Sequence, residues 1–379
     1  MDIQELRAGI DAVDNQIREL FTRRMDLSSQ IADYKRANKL PILDRTRERE
    51  ILARLTADQD PDLANYTRML FKTLFDMSRA YQSARMGESQ QLEEQIKSAL
   101  ESSPRKLPQN VTVACQGVEG AYSQIACDKL FASAGVMFMD SFEGVARAVG
   151  SGLCDYGILP IENNLYGSVN EVYDLMRRHS FYIVRSIKLR INHSLVVKPE
   201  TKGGDIREIF SHEQAIGQCS EFLKKYPNAK VTICENTAMA AKRVAQSDRS
   251  DTAAICSAEC SELYGLKQLH RDIQNSDNNY TRFICIARNL QILEGVNKVS
   301  ILFRVPHRPG SLYEVLSTFA TVGVNVSKLE SRPIPGHDFD FLFYADVDAD
   351  CREEQTVKML CDLTRCTEEM TFLGAYSEA

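Results

Sequence analysis

The sequence predicts a multidomain protein with three folds in series: an all-α bundle, a two-lobed α/β domain and an α+β unit of ferredoxin-like βαββαβ order. Three observations carry this. No glycine falls between Gly9 and Gly87, while apolar residues recur there at three- and four-residue steps. From Val111 the texture changes to short β-prone runs alternating with amphipathic stretches and glycine turns. After Lys298 the pattern reads strand, helix, strand, strand, helix, strand. At 379 residues the chain is too long for one compact core.

In the first block, residues 1–88, the apolar positions Leu6, Ile10, Val13, Ile17, Leu20, Phe21, Leu27 and Ile31 define one helix. It spans roughly 35 residues, or about 50 Å. Two shorter helices, near 44–57 and 61–86, are too short to cover its apolar stripe, so an intertwined dimer is expected. Residues 89–108 are polar, end in Ser-Ser-Pro and read as a solvated linker, with a helix as one option for it. Residues 109–290 hold the runs "VTVACQG", "YGILPIEN", "SLVVK", "EIFSH", "VTICEN", "AAICS" and "FICIAR". Residues 298–379 supply "VSILFRV", "VNVSKLES", "FDFLFYADVD" and "TFLGAYS" as strands, with helices over "GSLYEVLSTFATVG" and "EEQTVKMLCDLTRC".

A formal net charge of −6 argues against a general nucleic-acid or anionic-membrane binder. The start, "MDIQELRAGID", has no signal-peptide core, and no apolar run reaches the roughly 18 residues of a membrane span. Eleven cysteines without a CxxC pair read as small buried thiols in a reducing cytoplasm. With six dispersed histidines, no protein-bound metal is expected.

Cations are placed at helical spacing in the first block. Arg24 and Lys35 lie 11 residues apart and share one azimuth, while Arg7 sits about 100° away and would reach an antiparallel partner instead. Asp44, Arg47 and Glu48 open the second helix, and Ser78 and Gln82 lie one turn apart on the third. Taken singly, each is most simply a solvated charge or a surface ion pair. Together, through "LRAGIDAVDNQI", "RRMDLSSQIADYK", "PILDRTRERE" and "DMSRAYQ", the block resembles the all-helical chorismate mutases. The resemblance implies that Arg7, from the partner subunit, and Arg24 clamp carboxylates. It implies further that Lys35 and Gln82 donate to the ether oxygen, that Glu48 takes the ring hydroxyl, and that Asp44, Arg47 and Ser78 complete the site. The chemistry suits such a set. Chorismate rearranges to prephenate by a pericyclic shift, which needs positioning and charge stabilisation but no nucleophile, metal or cofactor.

Four stretches of the second block, "GVEGAYSQIA", "LPIENNLYGSVNEVYDLM", "FSHEQAIGQC" and "NNYTRFICIAR", resemble prephenate dehydratases. The two-lobed arrangement implied is periplasmic-binding-protein-like, which by itself would fit a binding protein as well as an enzyme. Individually, the motifs also suit helix caps and turns. The family assigns the essential role to the threonine of its Thr-Arg-Phe motif, here Thr281, followed by Arg282 and Phe283. A threonine is far too weak an acid to ionise near neutral pH, so its part is hydrogen-bond donor or proton relay. Ser123, Glu162, Asn163, Ser211, Gln214 and Thr237 are the candidate substrate contacts. Asn164 stands where the family usually has serine. These motifs do not separate prephenate from arogenate.

In the third block, "HRPGSLYEVL" and "KLESRPIPG" resemble the phenylalanine-binding signatures of regulatory ACT domains. They nominate Pro309, Gly310, Ser311 and Leu312 at a helix N-terminus, and Glu330, Ser331, Arg332 and Pro333 at the end of a strand. The order of blocks resembles the bifunctional P-proteins, which join chorismate mutase, prephenate dehydratase and ACT domain. That resemblance implies a cytoplasmic homo-oligomer, dimer or tetramer, making phenylpyruvate under feedback inhibition by L-phenylalanine.

Overall fold

The computed structural model describes residues 2–38, 40, 44–86, 90–306, 309–334 and 341–378. The expected boundary at residue 88 lies outside them. The chain forms two compact units, Met1–Lys97 with Phe303–Val324 and Arg352–Met370, and Ser98–Leu302 with Asn325–Cys351 and Thr371–Ala379.

The first unit is helical. Helix α1 (Ile3–Ala37) opens with the Asp2 N–H donating to the Glu5 carboxylate at 3.0 Å. Helix α2 (Arg45–Thr56) is capped by Asp44, whose carboxylate accepts from the Arg47 N–H at 3.0 Å. Both pack on α3 (Pro61–Met86). Only Ser28, Ser29 and Ala32 of α1 are buried, small residues that let α3 approach closely. The opposite ridge is open to solvent, with Ile10 60% and Leu20 65% exposed.

Helix α4 (Gln90–Ser102) occupies the expected linker. It is amphipathic, and Ile96 and Ala99 are buried, so the segment is a packed helix and not a solvated tether.

The second unit begins with β1 (Val111–Gln116), α5 (Tyr122–Leu130), β2 (Ala134–Met139), α6 (Phe142–Ser151), β3 (Tyr156–Asn163), β4 (Gly167–Ser168), α7 (Asn170–Arg178) and β5 (Tyr182–Arg190). The chain then crosses into a second lobe: β6 (Ser194–Val197), β7 (Glu208–Ser211), α8 (Glu213–Gln218), α9 (Ser220–Leu223), β8 (Lys230–Ile233), α10 (Thr237–Gln246), β9 (Thr252–Cys256), α11 (Ala258–Leu263) and β10 (Lys267–His270). It returns as β11 (Tyr280–Ala287), which slots antiparallel between β3 and β5. The first sheet therefore runs β2-β1-β3-β11-β5 with β4 on β3, and the second β10-β6-β9-β7-β8.

Side chains of β11 alternate between two cores. Ile284 and Ile286 join α6 and α7, while Phe283, Cys285 and Ala287 join α5. The remaining elements are β12 (Lys298–Arg304), α12 (Ser311–Val322), β13 (Asn325–Pro333), β14 (Phe341–Asp348), α13 (Glu354–Cys366) and β15 (Glu369–Tyr376). Their sheet has the order β13-β14-β12-β15, and Leu302, Leu342, Tyr344, Leu373 and Tyr376 extend the α6–α7 core of the first lobe. Within the helical unit, α13 packs on α12 and on α3.

Candidate active sites

On the helical unit, Arg24 turns inward. Its guanidinium donates to the Leu74 carbonyl at 3.0 Å and to the Ser78 hydroxyl, and lies 5.7 Å from the centre of the Phe75 ring. Burial lowers its pKa from the ordinary arginine value, against the opposing field of Glu48. Glu48 itself is paired with Arg79, which also reaches Asp76. One turn beyond Ser78, the Gln82 carboxamide is buried and its Oε1 has no hydrogen-bond partner among the described residues. Lys35 is half-buried on the same helix as Arg24. The helices thus bring Arg24, Ser78, Glu48 and Gln82 to their inner faces. Arg7, Asp44 and Arg47 stay at the surface, Arg47 paired with Glu50 at 3.3 Å. Sequence reasoning does not reach Arg79.

The second candidate site is built on β3 and β11. In this ladder Asn163 faces Thr281 and Glu162 faces Arg282, so each pair shares one side of the sheet. Asn163 is a hub. Its Nδ2 donates to Thr281 Oγ1 at 2.9 Å, to Asn279 Oδ1 at 2.9 Å and to the Tyr280 carbonyl at 3.1 Å. Its Oδ1 accepts the backbone N–H groups of Leu165 and Tyr166, each at 3.0 Å. Because Thr281 Oγ1 accepts from Asn163, the hydroxyl proton is free to point elsewhere, and Thr281 is half-buried. Asn164 ties the turn to the return strand: Nδ2 donates to the Asn278 carbonyl at 2.8 Å, and Oδ1 accepts the Tyr280 N–H at 2.8 Å. The amide at this position, in place of serine, closes a local clamp.

The loop before α5 leans on the second lobe. Gly120 has φ of +87°, a conformation suited to glycine, and an added Cβ would stand 3.0 Å from Cys260 Sγ and from a Leu263 methyl. Tyr264 donates to the Glu119 carbonyl at 2.7 Å, and a Cβ on Gly117 would lie 3.2 Å from Asn236 Nδ2. The segment before α5 therefore packs against α11 and against Asn236, the cap of α10. A helix N-terminus favours an anion. Ser123 is buried, and Thr237 follows the cap Asn236. Ser211 is fully buried and donates to the Ile255 carbonyl at 2.8 Å. Gln214 is exposed, and its carbonyl accepts from the Tyr166 hydroxyl at 3.3 Å, a second contact across the lobes.

Arg282 faces the other side. It is 4% exposed and ion-paired with Asp346 at 2.5 Å, Glu378 at 2.8 Å and Glu162 at 3.7 Å, and it donates to the Tyr376 hydroxyl at 2.8 Å. Burial works against its charge, but the fields of Tyr376 and Asp346 outweigh it and raise the pKa. Phe283 is a core side chain.

Gly310, with φ of +90°, caps α12; the next residue, Ser311, is buried with its hydroxyl unpartnered among the described residues, Leu312 is half-buried, and Pro309 is exposed. On β13, Glu330 and Arg332 lie on the half-buried face, Ser331 and Pro333 on the exposed one. Glu330 accepts from the Ser168 hydroxyl at 2.7 Å, and Arg332 pairs with Asp174 at 3.1 Å.

An inward-facing cation and amide on a helical bundle, a threonine hydroxyl held by an asparagine in a two-lobed α/β domain, and a small βαββαβ unit define a multidomain metabolic enzyme. Residues 6–83 match the type II chorismate mutase family, residues 113–291 the prephenate dehydratase family and residues 299–360 the ACT domain family. A bifunctional chorismate mutase/prephenate dehydratase of Escherichia coli strain K12 is 32% identical, covering 98% of this chain and 95% of that protein. The chain belongs to the bifunctional chorismate mutase/prephenate dehydratases with a C-terminal ACT domain. A chloroplastic arogenate dehydratase/prephenate dehydratase 2 of Arabidopsis thaliana is 36% identical over 70% of this chain and 72% of its own length. Among solved structures, a prephenate dehydratase of Arthrobacter aurescens in complex with L-Phe superposes with a TM-score of 0.65 at 29% identity, covering 70% of this chain and 90% of that one.

Proposed function

We propose that the chain isomerises chorismate to prephenate on its helical block and converts prephenate to phenylpyruvate, carbon dioxide and water between the lobes of its second domain. The observation that carries the reading is the hydrogen bond from Asn163 Nδ2 to Thr281 Oγ1. It makes the threonine oxygen an acceptor and leaves its proton for the departing ring hydroxyl, while the carboxylates of prephenate lie toward the N-termini of α5 and α10. Aromatisation drives loss of the carboxyl group. In the mutase step Arg24 and Lys35 hold the substrate dianion, and Gln82 donates to the ether oxygen as the C–O bond breaks. Gln82 is neutral at every pH, so that donor imposes no acid requirement. Arg7, exposed on α1, enters the site of a second copy, whose α1 covers the open ridge of Leu6, Ile10, Val13, Ile17 and Leu20. L-phenylalanine is the effector that lowers dehydratase turnover, with Gly310–Leu312 and, separately, Glu330–Pro333 as candidate contacts.

The domains run over 1–88, 109–290 and 298–379. The buried thiols, ten of eleven, suit a reducing cytoplasm. The test is to feed chorismate to the purified chain and follow prephenate and phenylpyruvate with and without phenylalanine. No phenylpyruvate would overturn the reading. A second reading, preference for arogenate, is favoured by the name of the Arabidopsis relative; the ratio of kcat/KM for arogenate and prephenate decides it.

A further inference from the structure

Charged residues of β13 address the dehydratase lobe in step. Lys328, Glu330 and Arg332 alternate onto one face of the strand and meet, in order, Glu162 of β3, Ser168 of β4 and Asp174 of α7. Lys328 is the most connected of the three. Its ammonium lies 2.7 Å from Glu162 Oε2, 2.9 Å from Ser168 Oγ and 3.6 Å from Glu330. Glu162 is thereby held between Lys328 and Arg282, and Arg282 is itself fixed by Asp346, Tyr376 and Glu378.

Glu162 immediately precedes Asn163, the residue that orients Thr281. Ser168, the other partner of Lys328, pairs with Glu162 across the β3–β4 ladder, whose next rung joins Asn163 to Gly167. Lys328 thus grips both strands of the ladder that ends at Asn163. Of the strand carrying the proposed effector signature, this is the residue nearest in bonded steps to the threonine hydroxyl: Lys328, Glu162, Asn163, Thr281.

We propose that Lys328 is a positioning residue for dehydration, a side chain of the regulatory sheet that fixes the Glu162–Asn163 segment and through it the Thr281 hydroxyl. The inference rests on the reading of Thr281 as the dehydratase donor. It assigns Glu162 to the support of the site and not to substrate. Removing the ammonium leaves substrate binding intact but loosens the hydroxyl, so the loss falls on turnover.

The test uses the full chain and measures dehydratase kcat and KM on prephenate beside mutase kcat on chorismate. Lys328→Met should lower dehydratase kcat about tenfold, with KM and mutase turnover within about twofold, because small displacements of a reacting group cost rate steeply. Lys328→Arg should recover most of the rate, since its guanidinium still reaches Glu162. In the double variant Lys328→Met/Glu162→Gln the loss should not exceed that of the worse single variant, as expected of residues acting in one chain. Unchanged kcat in Lys328→Met, a loss confined to KM, or an equal loss of mutase turnover would each overturn the proposal. Failure of the parent reading is separately visible: a Thr281→Val chain that still dehydrates prephenate removes Thr281 from the site while leaving the Lys328 result standing.

Discussion

Thr281 and Arg282 are neighbours in sequence that serve opposite sides of one sheet. The hydroxyl is held by Asn163, and the guanidinium is locked among Asp346, Glu378 and Tyr376. Different failures follow when each is changed. Thr281→Val keeps the shape and removes the proposed proton donor, so dehydratase kcat should drop by about 10³-fold with mutase turnover unchanged; stopped assays on prephenate and chorismate check both. Comparable loss of the two activities would defeat the separation of sites. Arg282→Met leaves Asp346, fully buried, without its charged partner, a change of about 3–5 kcal/mol for a broken buried pair. Its mark should be a fall in Tm of the second unit before any change in KM. In the mutase block, Arg24→Ala should abolish chorismate turnover and spare dehydration, the reverse of Thr281→Val.

Among the elements, α1 and α3 are legible from an apolar repeat at three- and four-residue steps, though much of that ridge is exposed, and the strands β3, β6, β7, β9 and β11 from short, largely buried apolar runs. Others are not. Strand β5 is masked by Arg185, Lys188 and Arg190, three cations spaced through an apolar run, and Lys188 is there to meet Glu378 at 2.7 Å. Helix α4 is legible only as one option for the connector, because its glutamines and glutamates leave a buried face of Ile96 and Ala99 among the described residues. The motifs mark the candidate site residues, but Lys328 pairs with Glu162, 166 residues away, and Asp346 with Arg282, 64 residues away, and no local pattern encodes such pairing.

The tail beyond β15 gives an element-scale prediction. Burial alone would raise the Glu378 pKa, but the Lys188 hydrogen bond and the charge of Arg282 hold it below the ordinary glutamate value. A depressed carboxyl contributes stability above its unfolded pKa and loses it as pH falls through the folded value. Glu378→Gln should therefore lower Tm at pH 7, and the gap from wild type should narrow as the pH falls below the ordinary glutamate value of about 4.3. For the effector, Gly310→Val places a β-branched residue at φ of +90°. Phenylalanine should then inhibit dehydration less, with uninhibited turnover unchanged, as inhibition curves would show.

At the scale of the whole molecule, two catalytic blocks and a regulatory sheet share one chain, and part of that sheet belongs to the same compact unit as the dehydratase lobes. One hydrophobic core runs from α6 and α7 through β3 and β11 to Leu342, Tyr344 and Tyr376. Unfolding that unit by denaturant should accordingly show the sheet and the first lobe melting together, with one midpoint for probes in each. The position of β11 adds a constraint in time. The strand bearing Thr281 lies between β3 and β5 but leaves the ribosome only after the entire second lobe. Until it arrives, a nascent chain presents two facing strand edges with unmet backbone groups, the kind of surface that invites intermolecular pairing. Order of synthesis makes the strand bearing Thr281 the closing piece of its sheet, and the exposure of those two edges ends when it inserts.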